Sequence, residues 1–446
     1  MRRILPVILT TLSCFAFQSE AQIRNINTIA GSGTSGYSGD GHSAVAADLK
    51  GPFNVAFDKT GNVYVVDYYN NRVRKVKTDG TIATLAGTGS TGFSGNGSYA
   101  ASANMEPWGV AVDARGNVYI SEANNSVVRK VNTLGIISAF AGTGTYGNDG
   151  DGRAAVNAKL SHPMGLAVDE KSNVFIADAG AHCIRKVDTF GTISTVAGSG
   201  VAGYGGDLGS ALAAKLDSPY GVAVDRLNNI YIADRNNHII RFVDNTHTIY
   251  TIAGTPNTHG YSGDSTQAIS ATLFYPTSVA VDTDLNIFIA DAYNNVIRMV
   301  DVSGKITTVG GNGWAGYGGD LGPAIGANLF HPYGVAADKN GNVFVADANN
   351  QRVRKIYWGY PASVISASKS GIEIFPNPVK NELFLNGVAA NDKVEIIAMS
   401  GSIVSTTTIA VAGTTSISTE NLTAGLYIVR VLDESGNLKT AVKVTK

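Results

Sequence analysis

The hydrophobic and polar positions of this chain repeat six times along its length. Within the second unit, four short runs rich in β-branched and aromatic residues lie at 109–113, 116–120, 127–131 and 136–142. Asn, Asp and Gly separate the runs, and these residues tolerate the backbone conformations of tight turns. Each unit therefore predicts four strands. The units begin at prolines 55–57 residues apart, at Pro52, Pro107, Pro163, Pro219, Pro276 and Pro332.

Four strands in each of six units predict a six-bladed β-propeller. Inner runs such as 229–233 and 342–346 are apolar at successive positions, as expected for a sheet covered on both faces by its neighbours. The outermost run, 84–87 in the first unit, recurs five times, and a sixth copy precedes all the units at 28–31. We expect residues 26–31 to form the outer strand of the last blade, which would close the ring by pairing its two ends.

These units resemble NHL repeats in the extended form found in teneurin-like and many bacterial exported propellers. The resemblance rests on 219–225, 229–234, 237–241 and the loop 260–264, and it covers about residues 26–357. It implies the propeller fold. It leaves function open, because similar propellers serve as binding platforms, lactonases and lyases.

A second domain is predicted at 372–446, after a linker at 358–371 rich in Tyr, Pro, Ser, Ala and Lys. Its short strands predict a small β-sandwich. The segments 372–378, 394–401 and 422–430 resemble the C-terminal sorting domain of the type IX secretion system of Bacteroidetes-type bacteria. The resemblance implies that the secretion machinery is a partner, that the tail is cleaved, and that the propeller is released or attached to the surface. The alternative is a carbohydrate-binding or spacer module.

Residues 1–21 read as a cleavable signal peptide. Arg2 and Arg3 precede an apolar run at 4–17, and small residues flank a cleavage site at 19–21. The run is too short for a membrane span, so we expect no transmembrane segment in the mature chain and a secreted or cell-surface location. Lipidation at Cys14 is the rival interpretation. After cleavage only Cys183 remains, so no internal disulfide can form.

The charge of the chain argues against nucleic acid as a partner. The sequence has 34 basic and 35 acidic residues and a formal net charge of -1, which gives no basic surface for a phosphate backbone. Charged residues make up only 15% of the chain, whereas there are 52 glycines, a combination that suits many short strands and tight turns.

Polar residues recur at three positions of every unit. A ring of calcium ligands is one interpretation of the acidic series, but turn capping explains better why every unit needs them. For the arginines we expect ion pairs between blades. The three series are Asp67, Glu122, Asp178, Asp234, Asp291 and Asp347; Asp40, Asn96, Asp151, Asp207, Asp264 and Asp320; and Arg74, Arg129, Arg185, Arg241, Arg298 and Arg354.

Positions that vary between units are better candidates for function. The residue after the unit's proline is aromatic in four units, as Phe53, Trp108, Tyr220 and Tyr333. If these residues surround the channel entrance, they offer flat faces with polar rims to a sugar or an extended peptide. The alternative is that they plug the channel as part of the core.

The residue before the proline supplies a candidate metal site that differs between units. Glu106, His162 and His331 could hold a zinc or calcium ion, as in propeller lyases and lactonases. The unit pattern offers no third histidine at this position, and Cys183 in a strand is better explained by packing. We therefore predict a non-enzymatic protein without a cofactor, which binds an unidentified protein or glycan; a metal-dependent lyase or lactonase is the alternative.

Overall fold

The computed structural model describes residues 23–359, 372–376, 379, 381–398, 403–423 and 425–446. The predicted signal peptide and linker residues 360–371 lie outside the described residues.

Residues 23–359 form six four-stranded antiparallel sheets, which are the predicted blades. In each sheet the strands follow chain order from the inside outwards, except that β1 (Ile23–Ala30) is the outer strand of the last sheet. Blade 1 consists of β2 (Pro52–Phe57), β3 (Val63–Asp67), β4 (Arg72–Val76) and β5 (Ile82–Ala86). Blade 2 consists of β6 (Gly109–Val112), β7 (Val118–Glu122), β8 (Val127–Val131) and β9 (Ile137–Ala141). Blade 3 consists of β10 (Pro163–Val168), β11 (Val174–Asp178), β12 (Cys183–Val187) and β13 (Ile193–Ala197). Blade 4 consists of β14 (Pro219–Val224), β15 (Ile230–Asp234), β16 (Ile239–Val243) and β17 (Ile249–Ala253). Blade 5 consists of β18 (Pro276–Val281), β19 (Ile287–Asp291), β20 (Val296–Val300) and β21 (Ile306–Gly310). Blade 6 consists of β22 (Pro332–Ala337), β23 (Val343–Asp347), β24 (Arg352–Gly359) and the N-terminal strand β1.

Short 3₁₀ helices occur at two places in the repeat. One set precedes the first strand of each blade: Ala44–Ala46, Ala100–Ser102, Ala155–Asn157, Ala211–Ala213, Ala268–Ser270 and Ala324–Gly326. The other set joins the second and third strands: Tyr68–Asn70, Ala179–Ala181, Arg235–Asn237, Ala292–Asn294 and Ala348–Asn350.

The N-terminal strand completes the last blade. β1 pairs antiparallel with β24, from Ile23 opposite Gly359 to Ala30 opposite Val353. Ile26 and Ala30 are fully buried. The predicted pairing of the two ends is therefore confirmed. The strands extend beyond the predicted bounds, because pairing begins three residues before residue 26 and reaches two residues past residue 357.

Neighbouring blades share apolar cores. Each core joins the inner strands of one blade to those of the next, which explains why these strands are buried on both faces. Blade 6 packs against blade 1 in the same way, since Phe344 and Ala346 lie in one cluster with Val55 and Val63.

The C-terminal domain consists of two antiparallel sheets around one core, as predicted for a small sandwich. One sheet has the order β25-β26-β29 and the other β28-β27-β30-β31. Leu385 of the first and Val429 of the second belong to the same buried cluster. No helix in the described part of the chain is long and apolar enough to cross a membrane. The strands are β25 (Glu373–Phe375), β26 (Glu382–Val388), β27 (Lys393–Ala398), β28 (Ile403–Thr408), β29 (Gly413–Ser418), β30 (Leu426–Leu432) and β31 (Leu438–Thr445).

Candidate functional site

The turns of the propeller divide between two faces. On one face the first-to-second and third-to-fourth turns meet, since a Cβ built on Gly61 would lie 3.3 Å from the Thr78 methyl group. On the other face the second-to-third turn covers the start of the first strand, as Tyr69 covers Gly51. This second face also holds the loops between blades, and we call it the loop face. It carries all the predicted site residues.

The recurring acids and arginines form a network around a fully buried arginine, and this network ties each blade to the loop before it. In blade 1 the guanidinium of Arg74, which is 0% exposed, lies 2.6 Å from Asp40 in the loop and 3.3 Å from Asp67 at the end of β3. Asp67 also accepts a hydrogen bond from the backbone N–H of Lys50. The other five blades repeat the arrangement, with Asn96 and Glu122 replacing the aspartates in blade 2. Each arginine thus pairs with an acid of its own blade and with the loop before it, rather than with a neighbouring blade as expected, and this pairing favours a structural role for the carboxylates over calcium binding.

Burial dominates the electrostatics of this network. It raises the pKa of Asp67 to about 6 and that of Glu122 to about 7, although their hydrogen bonds and the nearby arginines oppose the shift.

An asparagine completes the network in five blades, and blade 3 lacks it. In blade 4 the side-chain amide of Asn237 donates to Asp234 at 2.8 Å and to the loop carbonyl of Gly203 at 2.8 Å. Ala181 stands at this position in blade 3. One oxygen of Asp178 consequently has no hydrogen-bond partner among the described residues, and burial raises the pKa of Asp178 to about 8. Blade 3 thus departs from the common architecture.

The four aromatic residues that follow the prolines meet at the mouth of the central channel. Phe53 stacks on Tyr333 with ring centroids 4.8 Å apart and meets Trp108 edge-on at 5.1 Å. Trp108 in turn contacts Tyr220 edge-on at 6.0 Å. Phe53 is only 9% exposed, whereas the other three side chains are half-buried. The burial of Phe53 fits the alternative that it plugs the channel, and ligand contact by the other three stays a prediction.

Residues from blades 4, 5 and 6 extend this cluster to a closed circuit. Tyr275 contacts Tyr293 at 5.0 Å, Tyr293 stacks on His331 at 4.8 Å, and His331 meets Tyr333 at 6.3 Å. Arg235 closes the circuit, because its guanidinium lies over the rings of both Tyr220 and Tyr275. We call this circuit the aromatic collar; its members are Phe53, Trp108, Tyr220, Arg235, Tyr275, Tyr293, His331 and Tyr333.

Backbone conformation and contacts between blades hold two collar residues in place. Tyr275 and His331 both have positive φ angles, 48° and 49°, which non-glycine residues adopt only where surrounding contacts impose them. The backbone N–H of Tyr275 donates to Nδ1 of His238 in the preceding blade, and that of His331 donates to Oδ1 of Asn295. The collar is therefore fixed by the joints between blades.

The predicted metal site does not assemble. Glu106 accepts a hydrogen bond from Asn124 of its own blade at 2.9 Å, and Nδ1 of His331 lies 3.0 Å from the amide of Asn349. His162 is exposed and packs edge-on against Tyr146. Among the described residues, no group of three His, Cys, Asp or Glu side chains could hold a metal ion.

The central channel itself offers little to a ligand. Its cavity of about 210 Å³ is lined by the first strands of all six blades, mainly by Val, Ala and backbone atoms. This is below the roughly 300 Å³ at which small-molecule pockets begin. The exposed part of the collar above it is the better candidate.

Sequence reasoning missed Arg235, Tyr275 and Tyr293 as members of the site. Tyr275 directly precedes a proline, and the other two occupy the turn between second and third strands, at positions whose residue differs between blades. That variability is the signal that could have identified them.

Family models match both parts of the chain. Residues 373–445 match the secretion system C-terminal sorting domain, residues 144–204 match the teneurin NHL domain, and residues 216–241 and 331–356 match the NHL repeat.

Curated relatives are similar over the propeller. The Arabidopsis thaliana protein SUPPRESSOR OF QUENCHING 1, chloroplastic, is 30% identical over 326 residues, which cover 69% of this chain and 30% of that protein. Mouse Teneurin-4 is 27% identical over 381 residues, covering 76% of this chain and 13% of Teneurin-4. The chain thus spans less than a third of the length of either relative.

Solved structures confirm the fold. A Bacteroides thetaiotaomicron protein of unknown function aligns with a TM-score of 0.54 at 17% identity, over 75% of this chain and 76% of that one. An auxiliary nutrient binding protein from the same species aligns with a TM-score of 0.53 at 17% identity, over 76% of this chain and 77% of that one. At such identities the likeness shows the fold alone. With its NHL repeats and its sorting domain, which directs export to the cell surface or out of the cell, the chain is an NHL-repeat propeller joined to a type IX secretion sorting domain.

Proposed function

We propose that the exported propeller is a non-enzymatic binding platform that engages glycans through the aromatic collar. The observation that carries the proposal is the closed circuit of ring contacts at the channel mouth, in which Trp108, Tyr220 and Tyr333 remain partly exposed. Rigid aromatic faces with polar edges suit the apolar face and the hydroxyl groups of a sugar ring.

The composition of the collar suits a glycan. The collar supplies aromatic rings, and exposed amides lie beside it at Asn124 and Asn236. Trp, Tyr and Arg are also the residues enriched at the centres of protein interfaces, so a protein is the alternative ligand for the same surface.

A glycan array probed with the full chain tests the proposal. We expect binding that is lost on Trp108→Ala and on Tyr220→Ala. Phe190→Ala is the matched control, because Phe190 is 93% exposed in a third-to-fourth turn on the opposite face. If no glycan on the array bound, and a defined protein bound the chain but not the Trp108→Ala and Tyr220→Ala variants, the ligand would be a protein and not a glycan.

Metal analysis tests the non-enzymatic part of the proposal. We expect the purified full chain to carry no stoichiometric zinc or calcium. A stoichiometric ion that is lost on His162→Ala would contradict a purely binding role and revive the lyase or lactonase alternative.

A further inference from the structure

Arg235 occupies a distinctive place in the collar. It begins the short 3₁₀ helix at 235–237, between the second and third strands of blade 4. Its guanidinium carbon lies 4.6 Å from the ring centroid of Tyr220 and 4.3 Å from that of Tyr275. Stacking against two rings fixes the orientation of a side chain that would otherwise sample many rotamers.

The positive charge of Arg235 has no carboxylate partner in the described part of the chain. Its Nη1 donates to the neutral amide oxygen of Asn236 at 2.9 Å, and its Nε–H has no acceptor. The amide of Asn236 holds the nearby Asp217 through a separate hydrogen bond of 3.1 Å. By contrast, Arg74 and Arg241 of the network of acids and arginines each contact two carboxylates.

Arg235 is also the principal cation of the collar at neutral pH. Burial lowers the pKa of His331, so that its imidazole is neutral there. The acids around the collar are engaged by amides, Asp217 by Asn236 and Glu106 of blade 2 by Asn124. The Nε–H of Arg235 is buried, so a carboxylate would approach the Nη groups at the end of this oriented guanidinium, where two parallel hydrogen bonds can form.

The rings beside Arg235 indicate which class of ligand would supply a carboxylate to it. Tyr220 and Trp108 present partly exposed aromatic surface on one side of the guanidinium, and Tyr275 with Tyr293 does so on the other. A uronic acid combines the two matching features, because its pyranose ring can stack on an aromatic face while its carboxylate projects from the ring edge.

We propose that the collar selects acidic glycans, with Arg235 binding the carboxylate of a uronic acid residue that stacks on the neighbouring rings. This inference rests on the proposed function, and it names the ligand class for the same site.

The test compares uronate oligosaccharides with their methyl esters, which keep the sugar ring and remove the charge. Isothermal titration of the full chain with tetragalacturonate and with other uronate tetramers should detect at least one acid that binds about tenfold or more tightly than its ester. Arg235→Gln should abolish that preference, because it should lower the affinity for the acid about tenfold more than the affinity for the ester. Arg235→Lys should restore part of it, because it keeps the charge but not the planar, bidentate geometry.

Three outcomes would overturn the inference. They are equal affinity of every acid and its ester, equal loss of both on Arg235→Gln, and binding of tetraglutamate in preference to all the uronates. Failure of this inference is distinguishable from failure of the proposed function, since neutral glycans could still bind in a Trp108-dependent manner. Tryptophan fluorescence before each titration verifies that the variant is folded.

Discussion

Asn237 links the second strand of blade 4 to the loop before the blade, and we expect Asn237→Ala to destabilise the propeller by about 2–4.5 kcal/mol. The side chain is 1% exposed, and its amide donates to the carboxylate of Asp234 and to the backbone carbonyl of Gly203, both at 2.8 Å. A hydrogen bond to a charged group contributes about 1.5–3 kcal/mol and one to a neutral carbonyl about 0.5–1.5 kcal/mol. Alanine leaves both acceptors buried without this donor.

Denaturant unfolding followed by tryptophan fluorescence measures this effect in the full chain. The three tryptophans, Trp108, Trp314 and Trp358, all lie in the propeller, so the signal does not report on the sorting domain.

The matched control is Asn236→Ala. Asn236 is the exposed neighbour of Asn237 in the same turn, and its loss should cost less than about 0.5 kcal/mol. If Asn237→Ala were no more destabilising than this control, the reasoning that the repeated polar residues hold blade and loop together would be refuted.

Three further predictions concern blade 3 and ring closure. Ala181→Asn should stabilise the propeller by about 1 kcal/mol in the same assay, because it supplies Asp178 with the donor present in the other blades. Ile26→Ala should lower the free energy of unfolding by about 2–5 kcal/mol, because Ile26 is fully buried where β1 completes blade 6. Thr28→Ala, at a half-buried position of the same strand, should lower it far less. Equal effects of the two changes would argue against closure by β1. Burial raises the pKa of Asp178 to about 8. The folded chain therefore binds more protons than the unfolded chain between about pH 4 and pH 8. Its free energy of unfolding should consequently fall as pH rises through that window. Asp178→Asn should weaken this fall in unfolding titrations at pH 5 and pH 8, and an unchanged dependence would contradict the shift.

The fold was predictable from sequence because the same residue types recur at the positions that pack each blade against its neighbours. The recurring strands and the displaced copy at 28–31 were sufficient to predict six blades and the pairing of β1 with β24. The added length of β1 was not predicted, because the recurring Thr-Ile-Ala-Gly pattern begins only at residue 28, whereas pairing with β24 begins at Ile23.

The site was predictable only in part. The convergence of Phe53, Trp108, Tyr220 and Tyr333 followed from their equivalent positions in the repeat, and their contacts confirm it. Their individual burial did not follow, because it depends on how rings from neighbouring blades stack.

Arg235 could be assigned to the site only from the three-dimensional structure. It comes from blade 4, but its position is defined by Tyr275 of blade 5 as well as Tyr220 of its own blade. Glu106, His162 and His331, which the alternative interpretation joined in a metal site, each make separate local contacts.

Hydroxyl-radical footprinting of the full chain, with and without the tightest glycan found on the array, tests the central claim most directly. Bound glycan should protect Trp108, Tyr220 and Tyr333 from oxidation and leave the opposite-face residue Phe190 unchanged. Protection of Phe190 with no change at the collar would contradict the assignment of ligand binding to the aromatic collar.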